Sequence, residues 1–287
     1  MTRTRVLAAL VMAPFAIAAI LLLPTAWLAA LAAVALLLAL WEWFRLAEID
    51  DTLSRTVLLA ANALLMALLV WASAGSLVLL QIVALVGVGW WLLALLWLRG
   101  YGFASNHETW ARAFKLAAGT LAILPAWCAL ALIHAQDPQP LWGPVREGHL
   151  WLLTALAIVW AADSGAYFAG MKFGGQWFGS RRLAPRISPN KTLEGLLGGL
   201  LTAIVVGLLL AALCGASAAQ MPAVALLAAV TALFSVIGDL FESLLKRHAG
   251  VKDSGQLIPG HGGVLDRLDG VLAALPVFAI GKELLGL

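Results

Sequence analysis

Apolar runs near or above twenty residues recur along this 287-residue chain, and no other feature constrains its fold as much. A bilayer core is about 30 Å thick and a helix rises about 1.5 Å per residue, so about twenty apolar residues cross it once. With 63% hydrophobic and 11% charged residues and a mean hydropathy of +0.96, a soluble globule of ordinary composition is excluded. Hydropathy predicts an all-α, polytopic integral membrane protein with about nine transmembrane helices. They fall near 6–23, 26–46, 56–72, 76–98, 115–134, 150–170, 192–214, 222–245 and 263–285.

Lys and Arg set the expected orientation. With the N-terminus inside, Arg3, Arg5, Arg45, Arg55, Arg99, Arg112, Lys115, Lys172, Arg181, Arg182, Arg186, Lys191, Lys246, Arg247 and Lys252 lie in or beside inward segments. Arg146 is in an outward loop, Arg267 lies just inside the last span, and Lys282 is near its far end. This bias predicts N-in and C-out, with the charged loops in the cytoplasm. The same basic loops account for the net charge of +3 without a nucleic-acid partner. Cys128 and Cys214 fall in spans, which argues against a disulfide framework. Residues 1–23 resemble a signal peptide but lack a convincing small-residue cleavage site, so they read as a retained first helix.

The chain divides at about residue 150 into an N-terminal transmembrane scaffold, 1–149, of about five helices and a C-terminal catalytic region, 150–287, of about four. The first part is rich in Leu and Ala. From Asp163 onward polar residues enter the helices and Gly-rich turns appear, which should line a cavity or lie at its cytoplasmic mouth, because lipid does not tolerate irregular backbone.

Three segments carry the chemistry. In the eighth span Asp239, Ser243, Lys246 and Arg247 recur along one helical stripe with Glu242 at its edge. Lys246 reads as a side chain reaching for the headgroups, whereas Asp239, inside an apolar run, reads as functional. At the start of the ninth span Asp266 and Asp269 flank Arg267. One such acid merely complements a helix dipole; two opposite Asp239 suit Mg²⁺, which binds through one or two carboxylates plus substrate phosphates. Gly260, Gly262 and Gly263 would let backbone N–H groups approach an anion. In the third segment, 188–195, Ser188 and Pro189 mark a helix start that places Lys191 for phosphate, or simply caps an ordinary helix. Asp163, Ser164 and Tyr167 in the sixth span add to the polar cavity.

The stretch from Ser243 to Asp269, with S-x-x-K-R, K-D, P-G-H-G-G and D-R-x-D, resembles the signature of the phosphatidate cytidylyltransferases, or CDP-diglyceride synthases. SPNKTLEG and the Asp163–Tyr167 segment resemble that family's secondary motifs; the N-terminal half is similar only in hydropathy. The resemblance implies condensation of CTP with phosphatidate to CDP-diacylglycerol and pyrophosphate in phospholipid biosynthesis, with Mg²⁺ required and K⁺ able to share the site. It implies Asp239 and Asp266 as the metal pair, a bacterial cytoplasmic (inner) membrane, an active site facing the cytoplasm, and a homodimer.

The residues themselves suit that chemistry. A phosphomonoester with a second pKa of about 6 needs no dedicated base; two polyanions need charge neutralisation. Asp239 and Asp266 are assigned to metal, and with Lys246, Arg247, Lys252 and Arg267 they form the candidate catalytic set. Asp163, Ser188, Lys191, Ser243, His261, Gly262, Gly263 and Asp269 are candidates for substrate binding or its support. His261 reads as a phosphate donor or loop organiser rather than a base. The competing readings are CTP-dependent activation of another lipid phosphate, and a secondary transporter of anions. The two halves share no matching pattern of broken helices, which weighs against the transporter.

Overall fold

The structure is a computed structural model describing residues 13–136, 140–142, 145–179, 181–257 and 262–287. The first part of the first expected span, and with it Arg3 and Arg5, lies outside the described residues.

Every expected span contains a helix. These are α1 (Ala13–Leu22), then α2 (Thr25–Leu46), α3 (Thr52–Ala72), α4 (Val78–Arg99), α5 (Thr109–Ala135), α6 (Glu147–Phe173), α7 (Leu193–Leu213), α8 (Met221–His248) and α9 (Leu265–Leu284). Seven of them, α2 to α8, are long and apolar enough to cross a membrane. The described part of α1 is shorter, and α9 carries Asp266, Arg267, Asp269, Lys282 and Glu283 near its ends.

Two short antiparallel hairpins join the helices: β1 (Pro140–Trp142) with β2 (Val145–Arg146), and β3 (Arg182–Ala184) with β4 (Ser188–Thr192). The second corrects the expected helix start at Ser188 and Pro189. Proline has no N–H and pushes its predecessor toward extended backbone, so the segment pairs as a strand, Thr192 opposite Arg182 and Ser188 opposite Ala184. The helix begins after it, where Thr192 Oγ1 accepts the Gly195 N–H at 3.0 Å.

Helix α9 is central, packed by α2, α4, α5, α6 and α8. Helix α3 is peripheral, with only Asn62 and Met66 buried. Lipid removes most of the hydrophobic drive between helices, so close approach and interhelical hydrogen bonds decide packing. The α6–α7 contact illustrates this: a Cβ on Gly165 would collide with Thr202 Oγ1, and one on Gly198 with the Ala169 methyl. Thr202 Oγ1 then donates to Ala161 O at 2.9 Å across the contact. On the other side of α8, Phe241 is enclosed by Trp43, Trp90, Trp91 and Trp97 at ring separations of 5.0 to 5.9 Å. These contacts fix the turn of α8 that carries Asp239 and Glu242.

Candidate active site

The polar residues of four helices meet where α6 and α8 end and α7 and α9 begin. A cavity of about 410 Å³ lies there, lined by Asp163 and Tyr167 of α6, Asn190 and Lys191 of β4, and Asp239 of α8, among others. That volume is in the range of small-molecule sites. The Lys191 ammonium donates to Asp239 Oδ2, while Asp239 Oδ1 receives a long 3.4 Å bond from Ser243 Oγ. Asp163 stands within electrostatic reach of Asp239, Lys191 and Arg267. Asp269 is within reach of both Asp239 and Asp163.

The level of each acid follows from one glycine. A Cβ on Gly238 would collide with the carbonyl oxygen of Asp269, so the two helices touch there. Asp239 is therefore level with Asp269, one turn inside α9, and Asp266 is level with the next turn of α8. There Lys246 Nζ lies 2.6 Å from Glu242 Oε2 and 2.7 Å from Asp266 Oδ1. Lys246 thus does not reach for the headgroups as expected. Glu242 is 1% exposed, and two carboxylates in so dry a place hold the ammonium inward, since an uncompensated buried charge is costly.

Asp266 organises the loop before it. Its Oδ2 accepts the N–H of Gly263 at 2.7 Å and of Ser254 at 3.1 Å. Gly262 has φ 85°, and a Cβ there would lie 2.7 Å from Asp266 Oδ2, so this position suits glycine on both counts. The Gly263 N–H, expected to face an anion, is turned to Asp266 instead. His261 and Gly260 lie outside the described residues.

Arg247 Nε donates to Ile187 O at 3.2 Å, tying the end of α8 to the turn of the β3–β4 hairpin, and Ser188 sits in that hairpin beside Ala184. Lys252, Arg247 and Arg267 are exposed.

Two buried acids escaped the reading of the sequence. Glu194 is fully buried, and its Oε1 accepts the N–H groups of Trp177 and Phe178 at 3.1 Å each, folding that loop onto the first turn of α7. Glu42, in α2, is 1% exposed; its Oε2 accepts from Ser254 Oγ and from Leu265 N, both at 2.9 Å. The signal was present in each case, because a lone acid in a hydrophobic run is rarely idle.

A helical membrane protein with two acids and the Lys191 ammonium on one cavity defines a site for charged ligands. Comparison with known proteins gives the family: a model described as "Cytidylyltransferase family" matches residues 3–285. The chain is similar to the phosphatidate cytidylyltransferase of Pseudomonas aeruginosa, 38% identical over 97% of this chain and 96% of that one. It is also similar to the phosphatidate cytidylyltransferase of Haemophilus influenzae, 34% identical over 97% and 98% of the two chains. The enzyme of that name from Bacillus subtilis is 42% identical over 46% of each chain. The chain belongs to the cytidylyltransferase family and is a nucleotidyltransferase.

Proposed function

We propose that this chain is a phosphatidate cytidylyltransferase, joining CTP and phosphatidate to give CDP-diacylglycerol and pyrophosphate. The observation that carries the reading is the similarity, over nearly the full length, to two enzymes of that name. The geometry agrees with it. The cavity lining combines Lys191, Asp163 and Asp239 with the exposed Tyr167 and Met171, which suits a substrate with a phosphate head and acyl chains.

In the reaction a phosphatidate oxygen attacks the α-phosphorus of CTP. A new phosphoanhydride forms, the bond from that phosphorus to the β-phosphate oxygen breaks, and pyrophosphate departs with its electrons. Lys191 meets the charged groups inside the cavity, and the exposed Arg267, Arg247 and Lys252 are the further cations offered to them. Ser243 and Asp163 orient the donors around Asp239, and Lys246 holds the Asp266 carboxylate in place.

The donors fit Mg²⁺ by their chemistry: hard carboxylate oxygens, with Asp239 on the cavity and Asp266 one helical turn away along α9. Mg²⁺ takes few protein ligands and completes its shell with phosphate and water. Asp239 and Asp266 would hold it, with K⁺ able to share the site, and Asp269 would support them. When bound it supplies neutralisation of developing phosphate charge.

The proposed setting is nine crossing helices, N-in and C-out, in a bacterial inner membrane with the cavity facing the cytoplasm, supported by the inward bias of Lys and Arg, and assembly as a homodimer. The test is purified protein in lipid with CTP, Mg²⁺ and a panel of lipid phosphates, following pyrophosphate release. Release with phosphatidate is expected. Release with another lipid phosphate and none with phosphatidate would reassign the substrate.

A further inference from the structure

The loop from Ser254 to Gly263 is held at its two ends by two carboxylates, one from each half of the chain. Asp266 takes the backbone N–H groups of Ser254 and Gly263. Glu42, more than two hundred residues away, takes the Ser254 hydroxyl and the Leu265 N–H, both at 2.9 Å. Ser254 is therefore gripped twice, by its amide and by its hydroxyl. The fit around Glu42 is close: a Cβ on Gly255 would collide with its Oε1, and one on Gly263 with its Oε2.

A carboxylate that is 1% exposed carries a heavy desolvation cost unless bonded. Glu42 is bonded through one oxygen, and its Oε1 has no hydrogen-bond partner among the described residues. Stability alone gives weak reason to keep such a group, because an apolar side chain of equal size often packs as well. Its two bonds go to Ser254 and Leu265, and Ser254 in turn donates its N–H to Asp266.

We propose that Glu42 is a positioning residue for the reaction: it locks Ser254 and Leu265 in place and so fixes the carboxylate of Asp266. The inference rests on the cytidylyltransferase reading and adds to it that the N-terminal helices supply a part of the active site. Glu42 acts through Ser254 and Leu265.

Three variants test this. Glu42→Leu keeps the size and removes both acceptors; kcat is expected to fall about ten- to a hundredfold, as for groups that orient a metal ligand, with KM for CTP moving less than about threefold. Glu42→Gln keeps an oxygen that can accept both bonds and should recover kcat to within about threefold of the parent. Hydrogen exchange at Ser254 and Leu265 should quicken in the Leu variant and return toward the parent rate in the Gln variant. Full kcat in Glu42→Leu, or unchanged exchange at both amides, overturns the proposal. Should the Leu variant fail to fold, Ser254→Ala cuts the hydroxyl bond alone; a lowered kcat with faster exchange at Leu265 supports the clamp, and parental values for both sink it. Exchange is read without substrate, so failure of the parent protein to make CDP-lipid would count against the assigned activity and leave the clamp separately tested.

Discussion

The two ends of α9 both carry buried charged and polar groups, and they are finished differently. At the far end Lys282, 6% exposed, donates to Gln136 Oε1 at 2.9 Å and to Leu287 O at 2.6 Å, and sits 5.0 Å from the Trp151 ring centre. Nearby, His134 is bonded at both ring nitrogens, to Thr25 Oγ1 and Ile20 O, and stacks on His149 at 3.9 Å. That end is closed by side-chain hydrogen bonds and by the last residue of the chain. At the near end, charges are balanced by other charges, and Asp163, Lys191 and Asp239 open onto a cavity. Tightly packed hydrogen bonds make a lock, whereas paired charges beside a cavity can exchange partners when a polyanion arrives.

The largest effect expected from this contrast comes from Asp239→Asn or from removing divalent ions with a chelator. If a metal supplies about 4 kcal/mol of charge stabilisation, CTP incorporation falls roughly a thousandfold, while the protein still inserts and purifies as a folded species. A variant with near-parental turnover across a Mg²⁺ titration would remove Asp239 from the metal site. Lys246→Ala comes next. It leaves Glu242 and Asp266 facing each other without a counter-charge, at a cost of about 3–5 kcal/mol, visible as a lowered unfolding midpoint in detergent; a side chain that merely sought headgroups would leave that midpoint unmoved.

Gly238→Ala should cost about 1–3 kcal/mol through overpacking against Asp269 and should lower activity more than stability, because it parts the two acid-bearing helices. Equal losses in both would mean that the contact only holds the bundle together. The smallest effect on catalysis belongs to Lys282→Met. Loss of hydrogen bonds to a charged donor should cost about 1.5–3 kcal/mol of stability, with turnover per folded molecule retained. A large loss of turnover there would erase the distinction between the ends.

Much of the architecture was legible because its cause is local. Each expected span holds a helix, since a run of apolar residues in lipid must satisfy its backbone internally. The polar stripe of α8 was legible for the same reason: helical spacing puts Asp239, Ser243 and Lys246 on one face whatever surrounds them. The β3–β4 hairpin was not. Ser188–Thr192 looks like a capped helix start by composition, and its strand pairing depends on a partner at Arg182–Ala184. Lys246 was misjudged because a lysine near a helix end usually finds solvent, and only the packed bundle shows the two acids that turn it inward. Glu42 was passed over among the leucines of α2 because its bonding partners lie at the other end of the sequence.

By itself, then, the order of residues determined that this chain is a bundle of membrane helices with a charged end, through hydropathy, helical period and a long motif of acids and bases. Tertiary structure decided which acid faces which base, that Asp269 rather than Asp266 is level with Asp239, and that a glutamate of α2 holds the loop around Asp266. The reason is physical: periodicity acts within one helix, whereas the level of one helix against another is set where they touch, here at Gly238 and the backbone of Asp269.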